Sequence, residues 1–104
     1  MPHLTLVTAA TIDQDNPVTL HELAHACGAD IDWVVQLVEV GIVQTQSPAA
    51  KSENWCFYSA DLRRALEARR LERDFGVGLE AAALILDLQQ EVRRLKAVLQ
   101  ARGL

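Results

Sequence analysis

The sequence predicts a mainly α-helical fold with a small β-hairpin and a long C-terminal helix. Three observations carry that expectation. Two short segments with helical apolar spacing end at Gly28 and Gly41. Two strand-like runs follow, at 42–45 and 55–59. Beyond Gly78, aliphatic residues recur at alternating spacings of three and four up to Leu99. One domain is expected over residues 1–104: 18–60 for the short helices and the hairpin, 61–77 for a third helix, and 78–104 for the long one.

Taken in order, "LTLVT" at 4–8 alternates leucine with threonine and reads as a short strand. "IDQDNP" is a loop that ends at Pro17. Thr19 is followed three residues later by Glu22, a capping box that starts a helix. Leu20, Leu23, Ala24 and Cys27 form its apolar face, and Gly28 stops it. "ADIDWVVQLVEVG" is a second helix, capped by Asp30 or Asp32 and ended by Gly41. Two short helices joined by a few residues have the shape of a helix-turn-helix. "IVQT" and "WCFYS" would pair as a hairpin, or wing, with Trp55 and Phe57 towards the core.

Ser59 or Asp61 caps a third helix whose buried positions read as Leu62, Ala65, Leu66, Leu71 and Phe75. Gly76 and Gly78 break it. The fourth helix runs from about Leu79 to Arg102. Ile85, Leu88, Val92, Leu95 and Leu99 make an a/d seam about two heptads long. A chain this size has little left to cover the seam, so a homodimer through this helix is expected, with packing back on the third helix as the other way to cover part of it.

Charge and cysteine usage bound the function. The 104 residues hold 10 basic and 14 acidic side chains, for a net charge of −4. Residues 1–60 carry seven of the acids and one base, Lys51, whereas 61–104 carry seven acids and nine bases. An acidic half disfavours phosphate-backbone binding and suits a basic protein partner. Two lone cysteines, no secretory signal pattern and no span of about 20 apolar residues point to a cytoplasmic protein without a membrane segment.

"HELAH" at 21–25 fits the H-E-x-x-H spacing of zinc peptidases. Its context does not support that chemistry. The capping box already engages Glu22, and His21 and His25 fall off the apolar stripe towards solvent. The remaining histidine, His3, lies beyond a loop, and a catalytic zinc needs a third protein ligand and a dry cleft. Cys27 and Cys56 lack C-x-x-C spacing and read as small core residues. There is no glycine-rich phosphate loop and no serine elbow. The expectation is a non-enzymatic protein with no metal and no cofactor.

The order of elements and the motifs "TLHELA" (19–24), "GIV" (41–43) and "WCFYSADLRRAL" (55–66) resemble the MerR family of DNA-binding regulators. That resemblance implies a winged helix-turn-helix followed by a dimerisation helix. It also implies basic residues on the second helix and the wing. Here those positions hold Val35, Glu39 and Cys56, and the second helix has no basic residue. "WCF" (55–57), "RLERDF" (70–75) and the run 76–99 are more similar to the CbpM chaperone-modulator family. This narrower resemblance implies a protein that binds the J-domain of a CbpA/DnaJ-like co-chaperone and blocks its productive interaction with DnaK. A divergent DNA-binding regulator is the alternative, kept open by the arginines of "RRALEARR".

The second helix has more apolar residues than one buried face needs. Val34, Leu37, Val38 and Ile42 can face the core. Trp33 and Val35 are left as exposed anchors rimmed by Asp32, Gln36 and Glu39, since tryptophan is favoured at interface centres. The other possibility is that Trp33 packs on the N-terminal strand or the wing.

Overall fold

The computed structural model describes residues 16–45 and 49–103. The expected strand at 4–8 and His3 lie outside them. Strand β1 (Val18–Thr19) leads directly into helix α1 (Leu20–Ala26). Helix α2 (Ile31–Glu39) follows after a short turn. A 3-10 turn at Ser52–Asn54 precedes strand β2 (Cys56–Phe57), and two helices complete the chain, α3 (Ser59–Phe75) and α4 (Leu79–Ala101). The fold is mainly α with a small antiparallel β element and a long terminal helix, as the sequence predicts.

The helix-turn-helix is fixed by its ends. Thr19 caps α1: its Oγ1 accepts from the Glu22 N–H at 3.1 Å, and the Thr19 N–H donates to Glu22 Oε1 at 2.8 Å. Both bonds satisfy donors that the first turn of a helix leaves open. α1 and α2 then end alike, on glycines with φ of 64° at Gly28 and 83° at Gly41. Ala29 N–H closes on Ala24 O, and Ile42 N–H closes on Leu37 O, each one residue past the glycine. Only a residue tolerant of positive φ makes this closure without strain.

The β element corrects one expectation. Residues 42–45 are not a strand. β2 instead pairs antiparallel with β1, Val18 opposite Phe57 and Thr19 opposite Cys56. The backbone at 42–44 is already engaged elsewhere. The Ile42 N–H closes α2, the Ile42 carbonyl accepts from Arg64 Nε at 2.6 Å, and the Gln44 N–H donates to Asp61 Oδ1 at 3.3 Å. Ile42 and Val43 are apolar because their side chains are buried, not because they belong to a ladder.

The core lies between α1, α2, the β pair and the inner face of α3. Phe57, Leu20, Leu23, Val34, Leu37, Ile42 and Val43 are its largest fully buried side chains. Trp55 meets Phe57 edge to face, with ring centroids 6.3 Å apart, yet stays half-buried rather than core. The cap of α3 is Tyr58, one residue before Ser59. Asp61, on its first turn, reaches back to accept from the Tyr58 N–H at 2.9 Å.

α3 and α4 meet through small residues. Ala65, Ala68 and Ala82 are fully buried, flanked by Leu71 and Leu86. Alanines let two helices approach closely, so larger side chains beside the contact are left outside. Leu66 and Phe75, expected in the core, are 44% and 69% exposed. Arg64 then joins three parts of the chain. Besides the Ile42 carbonyl, its guanidinium reaches Asp87 Oδ1 and Gln90 Oε1 on α4, each at 3.1 Å.

Phe57→Ala removes the largest fully buried side chain at the junction of the β pair with the helices. It should cost about 3–5 kcal/mol of unfolding free energy, read as a fall in the urea midpoint. A loss below about 1 kcal/mol would contradict this placement of the core.

Candidate partner-binding site

α2 presents two opposed faces. Trp33, Val34 and Leu37 are buried on one. Asp32, Gln36 and Glu39 are exposed on the other, with Val35 half-buried among them. Spacings of three, four and seven bring these four residues onto one stripe. The stripe carries two carboxylates and no cation, and α2 holds no basic residue. The sequence-derived rim and Val35 therefore come together.

Trp33 does not join them. It is 8% exposed, so it is no surface anchor. It packs against α3, and the N-terminal strand expected at 4–8 lies outside the described residues. Its Nε1–H donates to Glu72 Oε1 at 2.7 Å, and the Arg69 guanidinium lies 5.5 Å from the ring centroid. Arg69 also stands 3.9 Å from Glu72 and donates to the Gly28 carbonyl at 3.4 Å. One indole, one carboxylate and one guanidinium thus hold α2 and the α1–α2 turn on α3. Sequence reasoning missed Glu72 and Arg69 because they are 36 or more positions from Trp33. Their only local sign is a charged i, i+3 pair, which usually means a solvated helix face.

Along α4, Leu88, Val92, Leu95 and Leu99 are each about half exposed, in agreement with an uncovered seam. Ile85 differs, since it is half-buried against the core of its own chain. Leu84 and Val98 are exposed as well and widen the apolar band. The heptad spacing did not single them out.

The H-E-x-x-H segment is α1 itself. Glu22 is engaged in the cap, and His21 and His25 are exposed. Among the described residues, no group of three or more His, Cys, Asp or Glu side chains is placed to hold a metal ion. The two cysteines differ from one another. Cys27 is buried, and burial raises its thiol from 9.0 to about 11, with Arg69 acting in the opposite direction. Cys56 is exposed on β2, so it is not a core residue. No helix among the described residues is long and apolar enough to cross a membrane.

Three measurements check this geometry. Trp33→Phe keeps the ring but loses the bond to Glu72, and should destabilise the fold by about 1.5 kcal/mol. Iodoacetamide near pH 8 should label Cys56 and spare Cys27 in the folded protein, as read by peptide mass spectrometry. Cys27 ionises in the unfolded chain before it does in the folded one. Stability should therefore fall as pH climbs from 9 towards 11, and Cys27→Ala should remove that component of the fall.

Comparison with known proteins agrees with this architecture. Residues 18–101 match the model of the family described as MerR HTH family regulatory protein. No curated protein and no solved structure matches the chain. The match spans the helix-turn-helix, the β pair and both long helices, and the chain belongs to the MerR helix-turn-helix family.

Proposed function

We propose that this protein is a non-enzymatic chaperone modulator of the CbpM type, acting in the cytoplasm without metal or cofactor. It binds the J-domain of a CbpA/DnaJ-like co-chaperone and keeps DnaK from engaging it. One observation carries the reading: the exposed face of α2 is an acidic stripe, Asp32, Val35, Gln36 and Glu39. Helix-turn-helix regulators lay their second helix in the major groove of DNA, between its phosphate backbones. A phosphate backbone needs cations to replace its counterions, and two carboxylates repel it. A basic helix gains from the same charges, which speed encounter and exclude wrong partners. Val35 supplies the apolar contact at the centre.

The protein acts as a homodimer in this reading. α4 spans about 34 Å at 1.5 Å per residue, and residues 91–103 are exposed on every side. The apolar band on that stretch finds no cover among the described residues, and a second copy supplies it in this reading. A DNA-binding regulator is the rival, supported by the family and by the exposed arginines of α3, Arg63, Arg70 and Arg73.

Calorimetric titration with an isolated J-domain of the CbpA type separates the two. The modulator reading expects saturable binding near one J-domain per chain, weakened by salt. Glu39→Lys should weaken it about tenfold, the effect of reversing one charge in a complementary interface, with an unchanged circular dichroism spectrum. No J-domain binding, together with tight and steeply salt-dependent binding to duplex DNA, would assign the regulator instead. For the dimer, Leu95→Glu should give monomers by light scattering. A folded Leu95→Glu dimer would contradict the seam.

A further inference from the structure

The acidic stripe has a counterpart of opposite sign elsewhere on the molecule. A cleft of about 510 Å³ lies between α3 and α4, lined by Arg63, Leu66 and Glu67 on one side and Leu86 and Arg93 on the other. A second cleft of about 570 Å³ continues it past Glu67 and Arg93 to Arg70 and Lys96, and borders the seam residues Ile85, Leu88 and Val92. Arg64, Arg69, Arg70, Arg73 and Arg94 each have an ion partner. That leaves five cations without one among the described residues. Three of those five, Arg63, Arg93 and Lys96, stand at this cleft. Leu66 lies among them and is 44% exposed. We propose that the α3–α4 cleft docks an acidic segment of another protein that carries aliphatic anchors.

The chemistry of the cleft selects that occupant. Unpaired cations around an exposed leucine complement glutamates or aspartates flanking a leucine or isoleucine, the pattern of an amphipathic helix laid in a groove. A sugar–phosphate backbone would satisfy the cations but leave Leu66 without an apolar partner. The α4 helix of a second copy is a poor fit as well. Residues 91–102 carry one acid, Glu91, and four bases, Arg93, Arg94, Lys96 and Arg102. Laid in the cleft, they would meet like charge. Helical spacing places Leu86, Gln90 and Arg93 on the flank of α4 away from Leu88, Leu95 and Leu99. The dimer seam can therefore close without filling the first cleft. This inference does not rest on the J-domain reading, because the α2 stripe and the cleft are separate surfaces of opposite charge.

The test is fluorescence anisotropy with a short fluorescein-labelled peptide of glutamates with a leucine at every third or fourth position. Saturable binding to the wild-type protein is expected. The double variant Arg63→Glu, Arg93→Glu should weaken it at least about tenfold, and Leu66→Ser about threefold. A peptide of the same composition with its leucines gathered at one end should bind about tenfold more weakly. Both charge changes are at the surface, and an unchanged helical dichroism signal confirms that the double variant is folded. Absence of saturable binding would overturn the proposal. So would affinity indifferent to the charge reversal or to the placement of the leucines, or a labelled duplex DNA that binds in place of the peptide. Peptide binding that appears only once Leu95→Glu has made the chain monomeric would show a second copy to be the occupant, and would overturn it too.

Discussion

The contact of Trp33 with Glu72 and Arg69 sets the roll of α2, and the rest of the surface depends on that roll. Burial of Val34 and Leu37 fixes which face of this nine-residue helix turns inward, and a contact with direction fixes the angle more closely. The indole N–H of Trp33, directed to one carboxylate oxygen at 2.7 Å, supplies that contact. A half-buried donor left without an acceptor is costly, so the bond has direction as well as strength. With Trp33, Val34 and Leu37 turned inward, Asp32, Gln36 and Glu39 must face water. The acidic stripe is the geometric consequence of a buried tryptophan.

A second constraint organises the other half of the chain. Alanines at the α3–α4 contact draw the two helices close, and Arg64 ties the exit of α2 to α4 through Ile42, Asp87 and Gln90. The helix-turn-helix and the projecting helix are thereby one mechanical unit. Surfaces on α2, in the α3–α4 cleft and along the α4 seam keep fixed positions relative to one another. A family fold that elsewhere presents basic residues to DNA here separates its charges. The second helix is acidic, and three of the five cations without an ion partner stand at the α3–α4 cleft.

Much of this was legible in the sequence, and the parts that were not share a cause. Capping at Thr19 and Glu22, the glycine stops at 28 and 41, the helix breaks at 76 and 78 and the exposed seam are local patterns, readable within a few residues. Three features depend on contacts across the chain. Val18–Thr19 pairs with β2 because the backbone of Ile42 is engaged by α2 and Arg64, which no local pattern reveals. Leu66 and Phe75 look like core by helical spacing, but the contact face is set by alanines, which spacing rules undervalue beside leucine and phenylalanine. Trp33 has the profile of an interface anchor until Glu72 and Arg69 are brought beside it. The remainder of the site, Asp32, Val35, Gln36 and Glu39, is a plain helical stripe and lies where the spacing puts it.

The measurement that tests the central claim most directly is a nuclear magnetic resonance titration. The isotope-labelled protein would be followed residue by residue as an unlabelled CbpA-type J-domain is added. The account predicts that the amide signals of Asp32, Val35, Gln36 and Glu39 shift or broaden progressively while those of Trp33 and Leu37 change least. Perturbation confined to other surfaces, or none at saturating J-domain, would contradict it.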